Sequence, residues 1–220
     1  MRKVALLLLI TLLLSGCHGR MHTGVKGSGK RELQNRQVPS FTSISTEGAF
    51  TIEVTCQKEP RLEVEGDDNI LNLVRTEVSN NVLRLSNSGS YSTDDPVTIR
   101  IYVPKLEALT ATGAGKIDIK GIKNEKFEID AEGAPTINVA GTTNLVDIHS
   151  NGAGKIYTND LHAARAIVNS NGASRVELDV KEHLDVTVNG PSSVTYKGDP
   201  VVNKSVNGPG RVERRGGEGA

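Results

Sequence analysis

Glycine returns along this chain at nearly fixed intervals, always in the same company. Gly113, Gly133, Gly152, Gly172, Gly190 and Gly208 are each followed by Ala or Pro, two variable residues, and then Ile or Val. The intervals are 20, 19, 20, 18 and 18 residues. A seventh copy, Gly48-Ala-Phe-Thr-Ile52, stands 65 residues ahead of Gly113. Counting from each glycine gives a ruler. At plus 4 stand Ile52, Ile117, Ile137, Ile156, Val176, Val194 and Val212; at minus 4 stand Ile44, Leu109, Ile129, Ile148, Val168 and Val186. Plus 6 and minus 6 are also mostly apolar, so short period-2 strands flank a glycine bend with one face inward.

One such unit cannot bury its apolar face alone, whereas stacked units roof one another. The spacing therefore predicts an all-β fold: a single-stranded parallel β-helix with coils of about 18–20 residues, right-handed by the usual rule for parallel crossovers. An antiparallel sandwich is the rival, but it predicts hairpin turns of alternating type rather than one phrase at every second turn. Stacking would place Asn151, Asn171, Asn189 and Asn207 in a ladder at the bend, with the six repeat glycines as structural turn residues.

The chain opens with Met1-Arg2-Lys3 and an apolar run from Val4 to Leu14, too short to span a bilayer. It ends in Leu14-Ser15-Gly16-Cys17, which resembles a bacterial lipobox. Residues 1–16 are thus expected to be a lipoprotein signal peptide, with Cys17 carrying the lipid that holds the chain to a membrane. Residues 17–37 read as the lipidated cysteine and a flexible tether. Residues 38–215 read as the solenoid: 38–104 as wider, irregular coils closing one end, and 105–215 as regular coils. Residues 216–220 read as a disordered tail. With Cys17 acylated, Cys56 has no disulfide partner, and its place after Ile52 and Val54 marks it as a buried hydrophobe.

Composition narrows the partners. The formal charge is zero, from 26 basic and 26 acidic residues, and aromatic residues make up only 3%. Nucleic-acid binding is not expected, because neither a basic surface nor stacking platforms are available. His149, His162 and His183 fall at different offsets from the glycine, so no metal ladder forms. No cofactor and no catalytic residue are expected.

The outward positions of the ruler carry the candidate site. Plus 3 gives Lys116, Lys155 and Arg175, with Thr136 between the first two; plus 5 gives Asp118 and Glu177. These define a candidate ligand-facing column for a glycan or a protein, on an otherwise solvated face of opposite charges. The alternative is a polysaccharide-acting enzyme using a surface carboxylate pair such as Asp130 and Asp147. Homo-oligomerisation through the solenoid flank is a third reading.

The combination Phe41-Thr-Ser-Ile-Ser45, Gly48-Ala-Phe-Thr-Ile-Glu-Val54, Val64-Glu-Gly-Asp-Asp-Asn69 and the later Gly-Ala-Gly-Lys-Ile repeats resembles the auto-transporter adhesin, head GIN domain family of bacterial envelope proteins. The resemblance covers Val38 to Arg214. It implies a β-helical domain, often on a lipoprotein in Gram-negative envelopes, with no established catalytic residue or ligand. The chain lacks an acidic run after Cys17, a feature that resembles surface-export signals. The expectation is therefore an outer-membrane lipoprotein, with a periplasm-facing anchor favoured over surface display.

Overall fold

The structure, a computed structural model, describes residues 24–216. The expected signal peptide, Cys17 and all of the tail except Gly216 lie outside the described residues. Within them the chain winds as the glycine ruler predicts. Each repeat has a leading arm before the glycine and a trailing arm after it, and equivalent residues of successive repeats pair in parallel. Gly113, Gly133, Gly152 and Gly172 are matched rung on rung, as are Ile117, Ile137, Ile156 and Val176. The strands Lys116–Gly133, Thr136–Gly152, Lys155–Gly172 and Arg175–Asn189 each run from one glycine bend to the next, around the opposite corner. The core is the stack of inward columns: Ile52, Ile117, Ile137, Ile156, Val176 and Val194 are fully buried.

The bend explains the phrase. Glycine at positive φ turns its carbonyl along the solenoid axis, where it meets the next coil. Gly113 O accepts the Ala134 N–H at 2.8 Å, Gly133 O accepts that of Ala153 at 2.7 Å, and Gly152 O accepts that of Ala173 at 2.7 Å. Gly133 has φ +86°, and a Cβ there would lie 2.8 Å from Gly113 O. Both the backbone angle and the close approach therefore exclude a side chain. Where Pro191 replaces Ala, the donor is lost. The Ser192 hydroxyl takes its place and donates to Gly172 O at 2.9 Å. The predicted asparagine ladder is present: Asn171 donates to Asn151 at 2.9 Å, Asn189 to Asn171 at 2.7 Å, and Asn207 to Asn189 at 2.9 Å.

The N-terminal half differs from the expected wide coils. The isolated glycine copy builds a regular coil: Ser43–Gly48 and Thr51–Cys56 stack on Ala108–Gly113 and Lys116–Lys120, with Gly48 matched to Gly113. The intervening segment makes the next coil outward, from Val82–Asn87 and Thr98–Val103, which also pair in parallel with the first coil. Coil order along the axis is thus not chain order. Beyond this coil the winding stops in antiparallel strands: Val74–Ser79 pairs with Val82–Asn87, Arg61–Asp67 with Thr98–Val103, and Arg31–Arg36 with Arg61–Asp67. The segment from Asp67 to Val78 holds a single 3-10 turn, Leu71–Leu73, and then a strand.

The tether expected to reach residue 37 is corrected here. Arg31–Arg36 is a sheet strand, and Val25–Lys26 pairs with Tyr91–Ser92. The backbone groups of the outermost cap strand need partners, which a free tether would leave exposed. Arg36 completes the cap, donating to Leu71 O at 2.8 Å and Val74 O at 2.6 Å. Asp67, 4% exposed, anchors the entering segment by accepting from Gly29 N–H and the Thr93 hydroxyl. The opposite end closes differently. In the last coil, Lys204 and Arg214 occupy inward columns that are otherwise mostly aliphatic. Their stems can cover the final rung while their charges face water, which also guards the open sheet edge.

Candidate binding face

The parallel register assembles the predicted column. Lys116 pairs with Thr136, Thr136 with Lys155, Lys155 with Arg175, and Arg175 with Ser193 and then Arg211. Successive members are ~4.8 Å apart. The neighbouring column runs Asp118, Asn138, Tyr157, Glu177, Thr195 in the same way. Both lie on the outer face of the trailing arm, because their period-2 neighbours fill the core.

The members are not electrostatically equal. Lys116 Nζ is 3.3 Å from Asp118, and Asp118 also accepts from Asn138 at 2.7 Å. Glu177 is taken by Arg215 at 3.2 Å. Lys155 and Arg175 sit on adjacent rungs, both exposed, and neither has an ion-pair partner among the described residues. The unneutralised charge of the column is therefore concentrated at Lys155 and Arg175. Exposed pairs such as Lys116–Asp118 contribute only about 0–1 kcal/mol to stability.

Beside this point lies Tyr157, which also stands at plus 5 of the ruler. Tyr157 lines a depression of about 240 Å³ together with Asp118, Asn138, Asn159 and Asp160. A ring face flanked by amides and carboxylates is the chemistry that holds a sugar: stacking on the ring and hydrogen bonds around its rim. The signal available in the sequence was a lone aromatic in an otherwise polar outward column.

The alternative carboxylate pair is also located. Asp130 pairs with His149 and Asp147 with Glu128, so Asp130 and Asp147 are diagonal on a flat arm. Asp147 lies 3.2 Å from both Lys126 and His149, and Lys126 lies 2.6 Å from Glu128. The Glu128 hydrogen bond, and then Asp147, raise the Lys126 pKa above the ordinary lysine value. Among the described residues no group of three or more His, Cys, Asp or Glu side chains is placed to hold a metal. Cys56 is buried, and burial pushes its thiol up to about 11, far from a nucleophile's range.

Comparison with known proteins agrees with this architecture. A "putative adhesin" from Bacteroides fragilis is similar with a TM-score of 0.73 at 24% identity, covering 87% of this chain and 100% of that one. A "putative lipid binding protein" from Parabacteroides distasonis gives 0.52 at 21% identity, covering 87% and 99%. A "putative adhesin" from the same species gives 0.57 at 19% identity, covering 87% and 100%. At these identities the likeness is one of fold. No curated protein sequence matches the chain. The family described as "Putative auto-transporter adhesin, head GIN domain" matches residues 40–200. That span holds Gly48, the cap strands from Arg61 to Ser79 and five of the six later repeat glycines, and the chain belongs to this family.

Proposed function

We propose that the chain is a non-enzymatic binding scaffold of the bacterial envelope, anchored by lipid on Cys17, that holds an extended anionic glycan along its trailing arm. The observation that carries this reading is the in-register column through Lys116, Lys155 and Arg175, whose last two cations are exposed on adjacent rungs. Contacts repeated every ~4.8 Å suit a polymer, whose affinity accumulates over several weak sites. The lipobox-like Leu14-Ser15-Gly16-Cys17 supports the anchor. The absence of an acidic run after Cys17 supports a periplasm-facing location on the outer membrane. The carboxylate-pair enzyme is the weaker reading: Asp147 is ion-paired with Lys126, and Asp130 stands diagonal to it on the neighbouring strand.

The test is a panel of acidic and neutral envelope polysaccharides offered to the full chain and to a Lys116/Lys155/Arg175→Ala variant. The expected result is retention of acidic polymers that weakens with salt and is lost in the variant. Retention unchanged in the variant overturns this face, and self-association in place of retention favours the oligomeric reading. Loss of acyl labelling in Cys17→Ser tests the anchor separately.

A further inference from the structure

At the corner of the cap remote from the glycine bend, three chain segments meet around a cleft of about 440 Å³. They are residues 35–42, 60–62 and 102–105. The volume falls within the usual range for small-molecule sites, about 300–1,000 Å³. Pro39, Pro60 and Pro104 line it with Phe41, Leu62 and Tyr102. Proline-rich walls are stiff, so little order has to be imposed when a ligand enters.

The charged side chains of the lining are all cationic: Arg36, Arg61 and Lys105. Lys105 is neutralised by Glu107 at 2.6 Å. Arg61 lies over the Tyr102 ring, 4.3 Å from its centroid, and Glu63 takes only its Nε edge at 3.3 Å. Arg36 is different again. Its partners Leu71 O, Val74 O, Thr76 and Gln34 are all neutral, so its charge is half-buried with no carboxylate against it. Apolar walls, a guanidinium fixed on a ring and an excess of positive charge define a complementary shape.

We infer that this cleft binds a small amphipathic anion, an apolar body bearing one carboxylate, with the body against Pro39, Phe41 and Pro104 and the carboxylate at the Arg61 guanidinium. The site is separate from the outward columns and stands or falls without them.

The test uses the full chain in lipid nanodiscs and a diazirine-bearing octanoate as photoprobe, with labelled peptides mapped by mass spectrometry. Labelling is expected in residues 36–42, 60–62 and 102–105, and excess octanoate should displace it while octyltrimethylammonium does not. Arg61→Gln should weaken octanoate competition about tenfold, the loss of one charge-assisted contact. Tyr102→Ala should do likewise, whereas Tyr102→Phe, which keeps the ring beneath Arg61, should retain it. Far-UV spectra of each variant separate loss of the site from loss of the fold. Labelling scattered over the outer faces, equal displacement by the ammonium, or an Arg61→Gln protein that competes like the parent overturns the inference.

Discussion

Replacing Gly133 with alanine tests the physical account of the bend. Its φ of +86° is costly for an L-residue, by about 1–3 kcal/mol. The new Cβ would stand 2.8 Å from Gly113 O, so the two rungs must part by a few tenths of an ångström. That same oxygen accepts the Ala134 N–H at 2.8 Å, and lengthening this bond forfeits about 0.5–1.5 kcal/mol. Alanine returns about 0.4–1 kcal/mol by restricting the unfolded chain. The net expectation is a loss of about 2–3 kcal/mol, or roughly 1 M in the urea midpoint. Two controls divide the effect. Gly29 has φ +76° with nothing within 4 Å of where a Cβ would stand, and Gly208 has φ +105° with its nearest neighbour at 3.4 Å. Gly29→Ala and Gly208→Ala carry the angle without the collision, and each should cost about 1 kcal/mol less than Gly133→Ala. Urea unfolding followed by far-UV circular dichroism measures all three. If Gly133→Ala is no worse than the controls, close stacking of the glycines is not what fixes the bend.

Ser192→Ala should destabilise the chain by about 1–2 kcal/mol, because Gly172 O loses its donor and the buried Ser174 N–H its acceptor; adding Pro191→Ala restores an N–H for Gly172 O only and should recover part of the loss in the same unfolding assay. Glu65 accepts from Arg100 at 2.8 Å, and this bond holds its carboxyl below the ordinary glutamate value. The stability it contributes is present above the unfolded-state value of about 4.3 and is lost as pH falls through the lower folded value, so Glu65→Gln should flatten the acid limb of stability against pH. Cys56, raised to about 11, should resist iodoacetamide at pH ~8.5 until urea unfolds the chain, as peptide mapping would show. Between the unfolded-state thiol value of about 8.5 and the folded value of about 11 only the unfolded state ionises, so this residue should lower stability as pH rises through that window.

The regular coils were legible because one residue type with one geometric duty recurs at each bend, and the ruler drawn from it assigns inside and outside to every neighbour. It located Ile117 and Val176 in the core, the asparagine ladder at the corner, and Lys155 beside Arg175. It could not show that Gly48 stacks on Gly113, because periodicity names equivalent residues and not their order along the axis. The cap was illegible for a related reason. Arg31–Arg36, Arg61–Asp67 and Val74–Ser79 pair antiparallel, outside the repeat, and what recommends them is the unpaired edge they cover. Within the candidate face, the columns were readable and their neutralisation was not. That Arg215 reaches back to Glu177, leaving Arg175 unpaired, depends on side chains from two separate coils. Likewise, the sequence shows Ser192 only as a variable residue after proline, although its hydroxyl replaces the missing backbone donor.

The order of the coils has a mechanical consequence. A chain held at its N-terminus and loaded through a ligand on its later coils would be pulled first at Val25–Lys26, with its two residue pairs, and then at Arg31–Arg36, whose six residue pairs with the neighbouring strand must yield. The next segment in line, Ser43–Cys56, is clasped on both sides, by Val82–Val103 outward and by Ala108–Lys120 inward. It cannot peel from an end as the outermost coil of a simple spring would. Drawing it out requires both flanking ladders to shear together, so the first coil the tension reaches already has the two-sided hold of an inner coil.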